Sequence, residues 1–136
     1  MRSGVRPLMH NGFTLIELLI VVVIIGILAS IAIPKFASIR EKSYVAAVTS
    51  DLKVLAAQME IYQSKSQIYP ANVSLLTDFT ASEGVNVTIN EATLGQGWAA
   101  TGFHDAVAAR QCGIFYGNGS AANAVPATSP GVVTCN

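Results

Sequence analysis

Gly12-Phe13-Thr14-Leu15-Ile16-Glu17-Leu18-Leu19-Ile20, continued without a further charge to Ile33 and Pro34, is the stretch that decides the fold. From Leu18 to Ile33 it reads LLIVVVIIGILASIAI, interrupted only by Gly26 and Ser30. A helix that crosses a bilayer needs about 20 mostly apolar residues at roughly 1.5 Å of rise each. Counted from Phe13, the run meets that length with Glu17 as its single charge. A carboxylate inside such a helix costs about 2.5–3.5 kcal/mol at the bilayer centre and less toward an end. Glu17 therefore needs a partner, or it snorkels to the interface and meets the positive end of the helix.

In a secretory signal, small residues and the cleavage site follow the apolar region, which is then lost. Here the small residue, Gly12, precedes the run, after a leader with Arg2, Arg6 and a plain polar His10. Cleavage there would discard the leader and keep the helix. The block from Gly12 to Pro34 resembles the type IV prepilin signal, shared by type IV pilins and the pseudopilins of type II secretion. The resemblance covers Gly12 to about Pro70. It implies that prepilin peptidase cuts between Gly12 and Phe13 and N-methylates Phe13. It further implies that Glu17 pairs with the Phe13 amine of a neighbouring subunit during assembly, so that cleavage creates the group that assembly uses. In assembled pili of this family the helix loses regularity between the positions of Gly26 and Pro34. Backbone freedom at the glycine and the missing amide of the proline permit this; the plainer alternative is a tolerated membrane-helix irregularity.

The expected organisation is a leader at 1–12, a membrane and assembly helix at 13–34, and an extracytoplasmic domain at 35–136 that includes the rest of the helix. After Pro34, apolar residues recur at Val45, Val48, Leu52, Leu55, Met59 and Tyr62, one face of a helix, with Asp51, Lys53, Glu60 and Lys65 largely off it. With no Gly or Pro between Lys35 and Ile68, the helix is predicted to run to about Ser66 and to end before Tyr69-Pro70. Residues 70–84 read as a connector around Leu75, Leu76 and Phe79. Val85, Val87 and Ile89 then alternate with polar residues, a half-buried strand. Short strands are also expected at Trp98–Phe103, Gly113–Tyr116 and Val132–Thr134, with a turn at 117–119 and a surface loop at 120–130. The fold class is α+β, a long N-terminal helix on a small antiparallel sheet, which is the architecture the pilin resemblance implies.

The formal net charge is zero and only 12% of residues are charged. Loss of Arg2 and Arg6 makes the remainder slightly acidic, which gives no strong nucleic-acid signal. Cys112 and Cys135 suit a disulfide closing a loop of about 20 residues in an oxidising compartment; the alternative is two unrelated buried thiols. Basic residues flank the apolar run on both sides, so the disulfide indicates orientation better than charge does. No zinc spacing, nucleotide loop or nucleophile motif is present, so no cofactor, metal or catalytic residue is expected. His104-Asp105 reads as a polar loop pair.

The function expected from the resemblance is a structural pilus subunit: an inner-membrane prepilin polymerised into an extracellular filament for adhesion, twitching motility or DNA uptake. The partners implied are further copies of the chain, prepilin peptidase, an inner-membrane assembly platform and separate assembly ATPases. The nearest alternative is a pseudopilin of type II secretion. A major pseudopilin typically resembles a calcium-stabilised, aspartate-rich loop, whereas residues 112–136 contain no Asp or Glu. A minor pilin acting as DNA receptor would want tip cations, and Arg110 alone is thin support. A membrane-anchored enzyme lacks a site.

Overall fold

A computed structural model describes residues 12–136. The expected leader up to Asn11, with Arg2, Arg6 and His10, lies outside the described residues. The chain divides into two compact units, one ending at Ala37 and the other formed by Ser38–Asn136.

The first unit holds the apolar half of α1, Leu15–Ser66. The helix continues through Gly26 and Pro34 in the isolated chain. It is the one described helix long and apolar enough to cross a membrane, and none of its most apolar 18-residue window is buried. Its aliphatic side chains lie open, Ile31 at 64% and Ile33 at 70% exposure.

The second unit is built on the other half of α1. Val48, Leu52, Leu55 and Met59 are buried, and Val45 and Tyr62 pack at the ends of the same stripe. The predicted helical face is therefore the core face. The helix stops at Ser66, where Gln67 takes a positive φ of 60° and its amide bonds the Gln63 carbonyl at 2.7 Å. Pro70 is fully buried just beyond. The connector forms a 3-10 turn at Val73–Leu75 and buries Leu76 and Phe79. Leu75, expected in the same cluster, is instead 48% exposed. Asp51 departs from a solvated reading too. It is buried, because the connector folds back over it and the Ser82 amide and hydroxyl donate to its carboxylate at 2.7 and 3.0 Å. Without those donors, burial of the charge would be costly.

Four antiparallel strands pair in chain order: β1 Val85–Thr93, β2 Gly97–His104, β3 Gln111–Gly117 and β4 Thr134–Cys135. The period of two sorts their side chains. Trp98, Ala100, Cys112 and Ile114 enter the core with α1, while Ala99 and Phe115 face the other way. That second face is not left to solvent. Ala124 and Ala127 bury themselves against Ala99 and Phe115, so the segment expected as a surface loop is a cover for the sheet. Gly113 permits this approach, since a Cβ there would overlap the Ala124 carbonyl oxygen. The covering chain occupies the edge of β3 through a Gly131 amide to Phe115 carbonyl bond of 2.8 Å. The expected strand at Val132–Thr134 is accordingly only Thr134–Cys135.

Candidate functional site

The N-terminal segment concentrates the chemistry that the sequence singled out. Gly12 and Phe13 precede the helix and are exposed, Phe13 at 80%. Thr14 caps the helix. Its hydroxyl accepts from the Glu17 amide at 3.3 Å and donates to Glu17 Oε2 at 2.6 Å, and its own amide donates to the same oxygen at 2.8 Å. This reciprocal arrangement is a capping box, and it satisfies amides that the first helical turn leaves without partners. Glu17 thus has a partner within its own chain, at the end of the helix where the dipole favours negative charge. The sequence signal for it, threonine followed three residues later by glutamate before an apolar run, is legible in Thr14-Leu15-Ile16-Glu17 but was not part of the sequence-based expectation.

Downstream, α1 offers two apolar surfaces with different roles. The stripe from Val48 to Met59 is consumed by the sheet. The large apolar side chains from Leu15 to Ile33 are exposed among the described residues, and so large an exposed apolar surface marks a membrane or protein contact.

The C-terminal part is a stapled platform. Cys112 and Cys135, directly opposite each other on β3 and β4, form the expected disulfide across a sequence separation of 23. The Thr49 hydroxyl lies 3.5 Å from the Cys135 sulfur, and the Gln111 amide donates to the Asn136 side-chain oxygen at 2.8 Å. Glu91 anchors the covering segment from the far side. It accepts from the Ser120 amide at 2.8 Å and the Asn123 amide nitrogen at 2.9 Å. Asn90 adds a bond to the Asn123 carbonyl at 2.8 Å. The Asn123 bond, then the Ser120 bond, outweigh partial desolvation and hold the Glu91 carboxyl below the usual carboxylate range. No sequence signal announces this anchor, because its members lie about 30 positions apart.

His104 and Asp105 do not act on each other. His104 Nδ1 accepts from the Ala106 amide at 3.0 Å while its ring stacks on Tyr44, and Asp105 accepts from Asn86. Tyr69 donates to Glu60 at 3.0 Å, and burial followed by that carboxylate raises its phenol. Among the described residues no group of three His, Cys, Asp or Glu could hold a metal ion.

Comparison with known proteins bears on this N-terminal segment. Residues 8–33 match the family model described as the prokaryotic N-terminal methylation motif. The chain is similar to type II secretion system core protein G of Pseudomonas aeruginosa, 39% identical over 62 residues, which are 46% of this chain and 44% of the relative. It is similar to the protein of the same name in Escherichia coli K12, 31% identical over 85 residues, or 62% and 52% of the two chains. For Vibrio cholerae the identity is 30% over 84 residues, or 62% and 51%. The chain spans about half the length of the curated relatives it matches. It carries a prepilin-type signal, and its architecture of one long apolar N-terminal helix on a four-stranded antiparallel sheet is pilin-like.

Proposed function

We propose that this chain is a structural subunit of a filament of the type IV pilus class, cut by prepilin peptidase between Gly12 and Phe13 and N-methylated on Phe13. It polymerises through its apolar helix after residence in the inner membrane. The observation that carries this reading is the unburied apolar helix that begins at Leu15, three residues after Gly12, with Glu17 at its capped end. In the membrane that surface faces lipid; in a filament packed helices replace the lipid, so extraction need not expose it to water. Glu17 exchanges part of its cap for the Phe13 amine of a neighbour, and packing loosens the helix between Gly26 and Pro34. An assembly platform and separate ATPases supply the work.

Within the class, the names of the relatives favour a pseudopilus of type II secretion. The second reading, an extracellular pilus, is favoured by the disulfide-closed tail, in which residues 112–136 hold no Asp or Glu. Glu17→Ala in cells that express the assembly machinery tests the common core of both. The account expects a cleaved subunit that stays in the envelope with no filament. Filaments at wild-type yield from that variant would refute the role given to Glu17.

A further inference from the structure

We propose that the unit Ser38–Asn136 presents a two-sided contact surface for a second copy of this chain. In it the Lys42 and Lys53 flank of α1 meets the acidic connector flank of the neighbour at Asp78 and Glu83. The inference rests on the filament reading and names the contact that orients its subunits.

On the face of α1 turned away from the sheet, Ile39, Ala46, Ser50, Val54, Ala57 and Ile61 are all exposed and all uncharged. Their spacing of three, four and seven places them on one helical stripe opposite the buried one. Small and aliphatic side chains let another backbone come close, but give no direction. Direction comes from the flanks. Lys42 borders a cleft lined by Arg110 and Cys135, and Lys53 borders one lined by Ile114 and Gly131, so both lie on the β3–β4 side. The opposite flank, at Gln58, borders a cleft lined by Leu75 and Asp78. The connector there carries Asp78 and Glu83 and no Lys or Arg between residues 70 and 84.

The unit's other charges are largely engaged within the chain. Arg110 pairs with Glu41 and Arg40 bonds Tyr44, while Asp51, Glu60, Glu91 and Asp105 each accept internal hydrogen bonds. Lys65 borders the connector cleft as well, but in the last turn of α1, where the carbonyl end of the helix favours a cation. Glu60 shares the Lys53 cleft and Lys65 shares the Asp78 cleft, so each flank also carries one opposing charge. With Lys42 and Lys53 on one side and Asp78 and Glu83 on the other, the first flank stays net positive and the second net negative. Setting like flanks together opposes like charges, whereas a head-to-tail arrangement matches them. A heterologous contact that does not close on itself propagates as a helix. Charge arranged this way selects orientation and register more than it adds affinity.

The test uses the full chain in cells that assemble filaments, comparing wild type with Lys42→Glu/Lys53→Glu, with Asp78→Lys/Glu83→Lys, and with all four changes together. Sheared filament yield, amount of cleaved subunit and closure of the disulfide are read for each. Each pair alone is expected to lower filament yield about tenfold, with cleaved and disulfide-closed subunit unchanged, and the fourfold variant to recover most of it. Unchanged yield in the paired variants, or no recovery in the fourfold variant, overturns the contact while the wild-type filament keeps the broader reading intact. Absence of a filament from the wild type overturns both.

Discussion

Gly113→Ala is the substitution whose cost follows most directly from the packing. The new Cβ would collide with the backbone carbonyl oxygen of Ala124, so no side-chain rotation can relieve it. Either β3 or the covering segment has to move. β3 is held by its full pairing to β2 and by the disulfide, so the cover gives way. Its displacement breaks the bonds from Ser120 and Asn123 to Glu91 and from Asn90 to the Asn123 carbonyl. At about 1 kcal/mol each, and more for those to a carboxylate, with the burial of Ala124 lost as well, the total is about 3–5 kcal/mol. For a domain of this size that lowers the melting temperature by about 15–30 °C. The assay is thermal melting of the full chain in detergent followed by near-ultraviolet circular dichroism, with limited proteolysis across residues 118–131. Gly26→Ala is the matched control, since a Cβ there meets nothing within 4 Å. A Gly113→Ala melting curve within a few degrees of the control, with the cover still protected, would refute the packing argument.

Replacing Cys112 and Cys135 together by serine removes a constraint spanning 23 positions; the expected loss is about 3 kcal/mol, read as a lower melting temperature that a reductant reproduces in the wild type. The Glu91 carboxyl titrates below the ordinary carboxylate range, so its contribution is complete above the unfolded-state value and is lost as pH falls through the depressed folded-state value. Exchange of the Ser120 backbone amide should accelerate in that acidic window, and Glu91→Gln should flatten the profile; an unchanged profile would remove Glu91 as the anchor. Thr14→Ala takes away the cap of α1 at a cost of about 1 kcal/mol, seen as faster amide exchange at Glu17 with the rest of the helix unaltered.

Much of this fold is written in local patterns. The spacing of Val48, Leu52, Leu55 and Met59 predicts the core face because an amphipathic helix has one side to bury. The alternation after Val85 predicts β1 for the same reason at a period of two. The capping box was equally local, four residues long. What escaped the sequence is non-local. Asp51 looks like a solvent residue until Ser82, 31 positions on, supplies its two donors. The segment 120–130 has the composition of a loop, and only the pairing of Ala124 and Ala127 with Ala99 and Phe115 turns it into a cover. Gly113 read as part of a strand, and its missing side chain acquires meaning only from a carbonyl 11 positions away. Glu91 gave no sign of its role, because its partners come from the far end of the chain.

The central claim is that Gly12 is a processing site and that the helix behind it builds a filament. Its most direct measurement is the intact mass and N-terminal fragment spectrum of the subunit sheared from producing cells. The account predicts a dominant sheared species beginning at N-methyl-Phe13, with Cys112 and Cys135 oxidised. A chain that begins at Met1 and remains in the membrane fraction would contradict it.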